Sequence, residues 1–356
     1  FAVRAVLCVL LGGAVLFGKQ PYDYGDLWWR YQTLDIVELD QMPVTECDRG
    51  EPIYSVHERT KVRMIDSLMP SIPDYVTDGD GCNFTVAISP KYKWSQYFGS
   101  LQQVWSIPAN KVSAPFDDSA IHNVNFSVGE HLRLSKNIDT AIKRRFGPIK
   151  YLAYEPGNTL YMKNDAGEWV AVVTLIRWES KGWLGLFFAQ PEFGGVMVVE
   201  QNEGNWWFTR RLIGVGTHVS PSEVAEHEFL DGQNIVAYEV GRRIAESFRY
   251  QAGILAPAPN WHVGDIRLPP KEHGNANEQP YVVNFDMDGE ISAYQVATLE
   301  PYADDLRGAA TSVLIPGDGR EQVYRVNHER LRHGMVGSSA VREIVIGSRP
   351  ETFGRD

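Results

Sequence analysis

Four groups of residues have types and spacings that could do chemistry. Asn284-Phe285-Asp286-Met287-Asp288-Gly289-Glu290-Ile291-Ser292 sets oxygen side chains and a turn glycine in the order of a calcium loop. Gln295 stands where a bidentate Glu would complete the coordination, so a β-hairpin turning at Asp288-Gly289 explains the same letters better. None of the nine histidines lies in an HExxH or Cys/His zinc spacing, and Glu226-His227-Glu228 points adjacent side chains in different directions, so no metal is expected. Gly214-Val215-Gly216 lacks the third glycine of a dinucleotide fingerprint, and no phosphate loop or nucleophile elbow is present, so no cofactor is expected either. His218 beside Ser220, and His333 near Ser338 and Ser339, put a base near a hydroxyl without a third group to orient it. Catalytic residues therefore stay unassigned, and an enzyme is the less favoured reading.

Two further sets concern compartment and contact. Cys47 and Cys82 are an even pair without CxxC spacing, which suits a disulfide and an extracytoplasmic body. Five of the 10 Trp fall between Trp169 and Trp207, where Trp169 to Trp178 alternates Ala171, Val173 and Leu175 on one face with Val170, Val172 and Ile176 on the other. A strand that is apolar on both faces needs cover on both. The expected contact surface for other subunits is therefore Trp169, Val172, Trp178, Trp183, Leu186, Trp206 and Trp207.

The elements that must carry these residues divide the 356-residue chain into four stretches. Residues 1–18 carry one charge, Arg4, in an otherwise apolar or small run, which reads as a transmembrane anchor, with Tyr22, Tyr24, Trp28, Trp29 and Tyr31 behind it as a headgroup belt. Residues 19–147 read as mixed: Val62, Ile65 and Leu68 within Ser55 to Leu68, then Trp94, Phe98, Leu101 and Val104 within Lys91 to Val104, repeat at helical spacing, and Ile138 to Phe146 reads as a short helix stopped by Gly147 and Pro148. Residues 148–256 read as an antiparallel meander of about six strands, covered by helices over Ser220 to Gly232, opened by a capping box, and Asn234 to Gln251. Residues 257–356 read as an irregular connection, a β-rich section from Tyr281 to Val326 and a tail. The expected class is α+β: an N-terminal transmembrane helix, then a β-rich body with its meander covered by helices.

Composition bounds the function. Hydrophobic residues at 44 % and charged ones at 22 % belong to a folded chain, and 34 basic against 45 acidic side chains leave a charge of -11 that repels a phosphate backbone, so nucleic acid is not an expected partner. The reading that follows is a single-pass, membrane-anchored, extracytoplasmic accessory or structural subunit. It would meet lipid through the anchor, and other protein subunits through the anchor and the aromatic sheet. The alternatives are an envelope hydrolase and a glycan-binding receptor.

Overall fold

A computed structural model describes residues 19–46, 53–78, 81–110, 120–180, 189–203, 213–253, 255, 266–269, 279–287, 290–302, 309–320 and 322–328. Its helices include α1 (Lys19–Thr33), α2 (Ile53–Arg63), α3 (Lys93–Phe98), α4 (Ile138–Lys150) and α5 (Tyr238–Ser247). Strands β1 (Asp35–Leu39) and β2 (Thr45–Glu46) edge a terminal sheet, in which β12 (Ile266–Arg267), β13 (Tyr281–Met287), β14 (Glu290–Pro301), β15 (Thr311–Pro316) and β16 (Gln322–Asn327) complete the order β1-β16-β15-β14-β13-β2, with β12 on β14. A second sheet joins β3 (Leu68–Pro70), β4 (Asp74–Asp78), β5 (Gly81–Pro90), β6 (Leu101–Pro108) and β7 (Ile121–Phe126). The third is the meander β8 (Tyr154–Lys163), β9 (Trp169–Ser180), β10 (Ala189–Glu200) and β11 (Thr217–Val219).

This corrects the expected class. Among the described residues the protein is β-rich, with 46 % strand in several sheets against 26 % helix, and no helix is long and apolar enough to cross a membrane. The run Phe1 to Gly18 lies outside the described residues. The first described helix, α1, packs Tyr31 against the body, while Trp29 is exposed. Tyr31 meets Phe248 edge-on at 5.4 Å, and Arg243 of α5 bridges to buried Asp26 at 3.1 Å. Buried Arg30 donates to Pro191 O at 2.8 Å and to Glu192 Oε1 at 3.1 Å, tying α1 to β10.

Among the described residues the meander has four strands, not about six, and two stretches that read as turns between strands lie inside strands. Pro156-Gly157-Asn158 lies inside β8 and Phe193-Gly194-Gly195 inside β10, each at a register shift in the pairing with β9. A bulge needs an extra residue and a bend, for which the same small residues serve. At Gly195 the backbone takes φ 82°, and a Cβ there would stand 2.1 Å from Val219 O. The stretch Ser220 to Gly232 is also not an α-helix. Glu223 reaches back to Ser220 N at 2.9 Å and to Ser220 Oγ at 2.7 Å, as a capping box suggests, but two 3-10 turns, Val224–Glu226 and Glu228–Leu230, follow. Helical geometry returns only at α5.

Helical spacing also overreached earlier in the chain. The helix expected to carry Trp94, Phe98, Leu101 and Val104 on one face stops at Phe98, and Leu101 and Val104 enter β6 instead. Val62 of α2 and the following Ile65 are exposed. By contrast α4 breaks helical geometry at Gly147, φ 73°, and β13 and β14 pair as an antiparallel hairpin down to Met287↔Glu290, with Asp288 and Gly289 outside the described residues.

Both faces of the meander are covered by the chain itself. Ala171, Val173 and Leu175 pack with Leu101, Val104 and Phe126 of the second sheet and Ile138 and Ile142 of α4. Val170 and Val172 pack with Val224, Leu230 and Ile235. Residues 233–236 then bind the sheets together: Gln295 Nε2 donates to Asn234 Oδ1 at 3.0 Å and to Val236 O at 2.7 Å, and Ile235 N donates to Gly317 O at 2.7 Å.

Candidate functional site

Strand register sets the site. Asp74 on β4 pairs with Thr85 on β5, and Thr85 pairs with Ser106 on β6, so the three side chains form a row on one face. Ala87↔Val104, two residues along, lies on that same face and packs into the core against the meander. The inner face of this two-sheet sandwich is therefore apolar at one end and polar at the other. Tyr161 of β8, fully buried, stands at the polar end.

A cavity of about 520 Å³ opens there. Thr85, Ser106, Asn83 and Tyr161 line its inner part, and Lys163, Asp165, Trp169, Glu228, Phe229 and Asp231 stand around it on the β8–β9 turn and the 3-10 segment. The volume falls within the range of small-molecule pockets, about 300–1,000 Å³. Asn164 Oδ1 shapes the turn by accepting from Ala166 N at 3.1 Å and Glu168 N at 2.9 Å. Asp165 Oδ1 accepts from Phe229 N at 2.8 Å and so joins the turn to the opposite wall. Half-buried Trp169 has the His122 ring 4.8 Å from its own and the Lys163 ammonium 5.9 Å away, and this contact fixes the indole plane.

Two of the inner polar atoms have no hydrogen-bond partner among the described residues: Tyr161 Oη and Thr85 Oγ1. Behind the lining is a set of acids. Glu130 Oε2 is likewise buried and unpartnered. Burial, then the neighbouring Asp139 charge, pushes the Glu130 carboxyl up to about 8. Burial and Glu130 raise Asp74 well above the ordinary carboxylate range, and burial raises Asp139, opposed by Lys143. The Tyr161 phenol is pushed up by burial first and by these three acids after it. Burial thus disfavours charge on the acids at the interior end of the site. His131 is lowered by burial, which outweighs its backbone bond at Pro70.

The expected contact residues scatter. Val172 lies in the chain's own core, Trp169 lines the cavity, and Trp178 is 38 % exposed with Nε1 3.1 Å from Glu155 Oε2. Trp183, Leu186, Trp206 and Trp207 lie outside the described residues, as does Cys47. Cys82 is buried on β5, with Asn284 Nδ2 3.2 Å from its Sγ, and Asn284 pairs in register with Glu46, the residue before Cys47. Among the described residues, no group of three or more His, Cys, Asp or Glu could hold a metal ion. The site residues that sequence reasoning missed, Asp74, Thr85, Ser106, Glu130 and Tyr161, carry no motif. For all but Glu130, which lies in the turn after β7, the one signal is a polar residue on the inward-facing positions of strands, which requires the register to be seen.

No family model, no curated protein and no solved structure matches this chain.

Proposed function

We propose that the protein is a receptor for a small, neutral, hydroxyl-rich ligand of the sugar class, held in the cavity between the second sheet and the meander. The observation that carries this reading is the polar row Asp74–Thr85–Ser106 facing buried Tyr161 where a sandwich interior should be apolar. Unpartnered buried hydroxyls cost free energy unless something bonds to them, and a ligand with several hydroxyls supplies both donors and acceptors. Trp169 offers an apolar face for a sugar ring. Among the described lining residues the rim carboxylates of Asp165, Glu228 and Asp231 outnumber the Lys163 ammonium, which disfavours an anion. Asp74 and Glu130 stand behind the lining rather than in it, which favours binding over bond cleavage. The expected docking of subunits rested on an uncovered meander face, and the chain's own residues fill the face at Val172.

Calorimetry against a panel of neutral mono- and disaccharides, amines and organic anions tests the reading. A saccharide should bind, Thr85→Val should abolish or strongly weaken it, and Trp169→Ala should weaken it roughly three- to tenfold. Binding of amines or anions alone, or saccharide binding indifferent to both substitutions, overturns it.

A further inference from the structure

The second feature without an internal explanation is the tip of α3, at the edge of the second sheet. Trp94 and Phe98 lie one turn apart, stacked at 6.2 Å with an interplanar angle of 8°, and each is 76 % exposed. Tyr92 at 58 % and Leu134 at 72 % are also exposed, and Leu134 holds a left-handed backbone at φ 56° that a leucine adopts only at a cost. The tip is held firmly in this form. Arg133 Nε donates to Gln96 Oε1 at 2.7 Å with its guanidinium 5.9 Å from the Tyr97 ring, Arg133 N donates to Gln96 O at 3.1 Å, and Lys136 Nζ donates to Phe98 O at 2.8 Å and to Gly99 O. The aromatic residues therefore stay presented to solvent although the helix has only six residues.

The charge around them is opposite in sign to the whole. In a chain of net charge -11, Lys91, Lys93, Arg133 and Lys136 surround the aromatic residues. Asp66, beside the Ser67 carbonyl that accepts from Lys91 N at 2.9 Å, sets one negative charge against them. We propose that the α3 tip docks on an anionic lipid bilayer, with Tyr92, Trp94, Phe98 and Leu134 entering the headgroup boundary and the side chains of Lys91 and Lys93 meeting lipid phosphates and carboxylates. Trp and Tyr favour that boundary, and basic residues beside it are drawn to an anionic leaflet. Four apolar side chains are few beside the roughly 20–30 residues a side of a specific protein interface, whereas a bilayer needs no shaped counterpart. This proposal uses neither the cavity nor its ligand.

Flotation of the full chain with phosphatidylcholine vesicles, with and without phosphatidylserine, tests it. The expected result is binding that rises with phosphatidylserine and falls with salt. Trp94→Ser with Phe98→Ser should reduce it roughly tenfold or more, and Lys91→Gln with Lys93→Gln should reduce it by a similar factor on anionic vesicles alone. The apolar run at residues 1–18 is common to all forms, so the differences isolate the tip. Equal partitioning of wild type and variants, or capture of nucleic acid in place of vesicles, overturns the proposal. Should the serine variant unfold, Trp94→Phe with brominated phosphatidylcholine decides: loss of a quenched fluorescence component is expected, and unchanged quenching is the contrary result.

Discussion

Gln233 grips Thr77 at both of its backbone groups: Thr77 N donates to Gln233 Oε1 at 3.0 Å, and Gln233 Nε2 donates to Thr77 O at 2.6 Å. A side-chain amide thus does for β4 what a neighbouring strand would do, and it ties the second sheet to the segment that covers the meander. Thr77 Oγ1 also accepts from Asn284 Nδ2 of the terminal sheet at 2.8 Å, so the three layers meet at one residue beside the cavity.

Replacing this amide tests the joint. Gln233→Leu keeps the volume and removes both bonds, at a cost of roughly 1–3 kcal/mol in urea unfolding. Ligand binding at the cavity should weaken with it, since Thr77 and Gln233 both line the site. An unchanged unfolding midpoint would show that the joint contributes nothing to stability.

Glu130 makes stability depend on pH in a defined direction. Its folded value of about 8 lies above the ordinary 4.5, so the folded state holds a proton that the unfolded state has lost. Its favourable protonation is fully present below about 4.5 and is lost as pH rises towards 8, by on the order of a few kcal/mol. Glu130→Gln should melt like the wild type at the acid end and at higher temperature above pH 8. Parallel melting curves for the two proteins across that window would falsify the assignment.

Val172 and Trp178 separate core from surface on one strand. Val172 is fully buried against Leu230 and Ile235, so Val172→Asp leaves an unpaired charge in the core and should abolish the folded circular dichroism signature. Trp178→Phe at its 38 % exposed position should cost under about 1 kcal/mol. A folded, monodisperse Val172→Asp protein would mean that this face is not core.

What was legible in the sequence is what short-range physics decides. The hairpin from Tyr281 to Pro301 follows from Asp288-Gly289 between apolar runs, and the helical break at Gly147 follows from glycine's access to φ 73°. The two-sided apolarity of β9 correctly demanded cover on both faces, because alternate side chains leave a strand on opposite sides. The source of the cover could not be read there, since Leu230 and Ile235 on one side and Leu101 and Ile142 on the other reach β9 only through the folded chain. The tertiary structure likewise decided that Asp35–Leu39 lies parallel to Gln322–Asn327, a pairing across nearly the whole chain that no local pattern encodes. It turned the spacing of Trp94 and Phe98 into an exposed tip, because the chain leaves the helix after Phe98 and buries Leu101 and Val104 of β6 in the core. The site has the same origin. Asp74, Thr85, Ser106 and Tyr161 are ordinary polar letters in strands, and only the register of β4, β5 and β6 against β8 gathers them around one cavity.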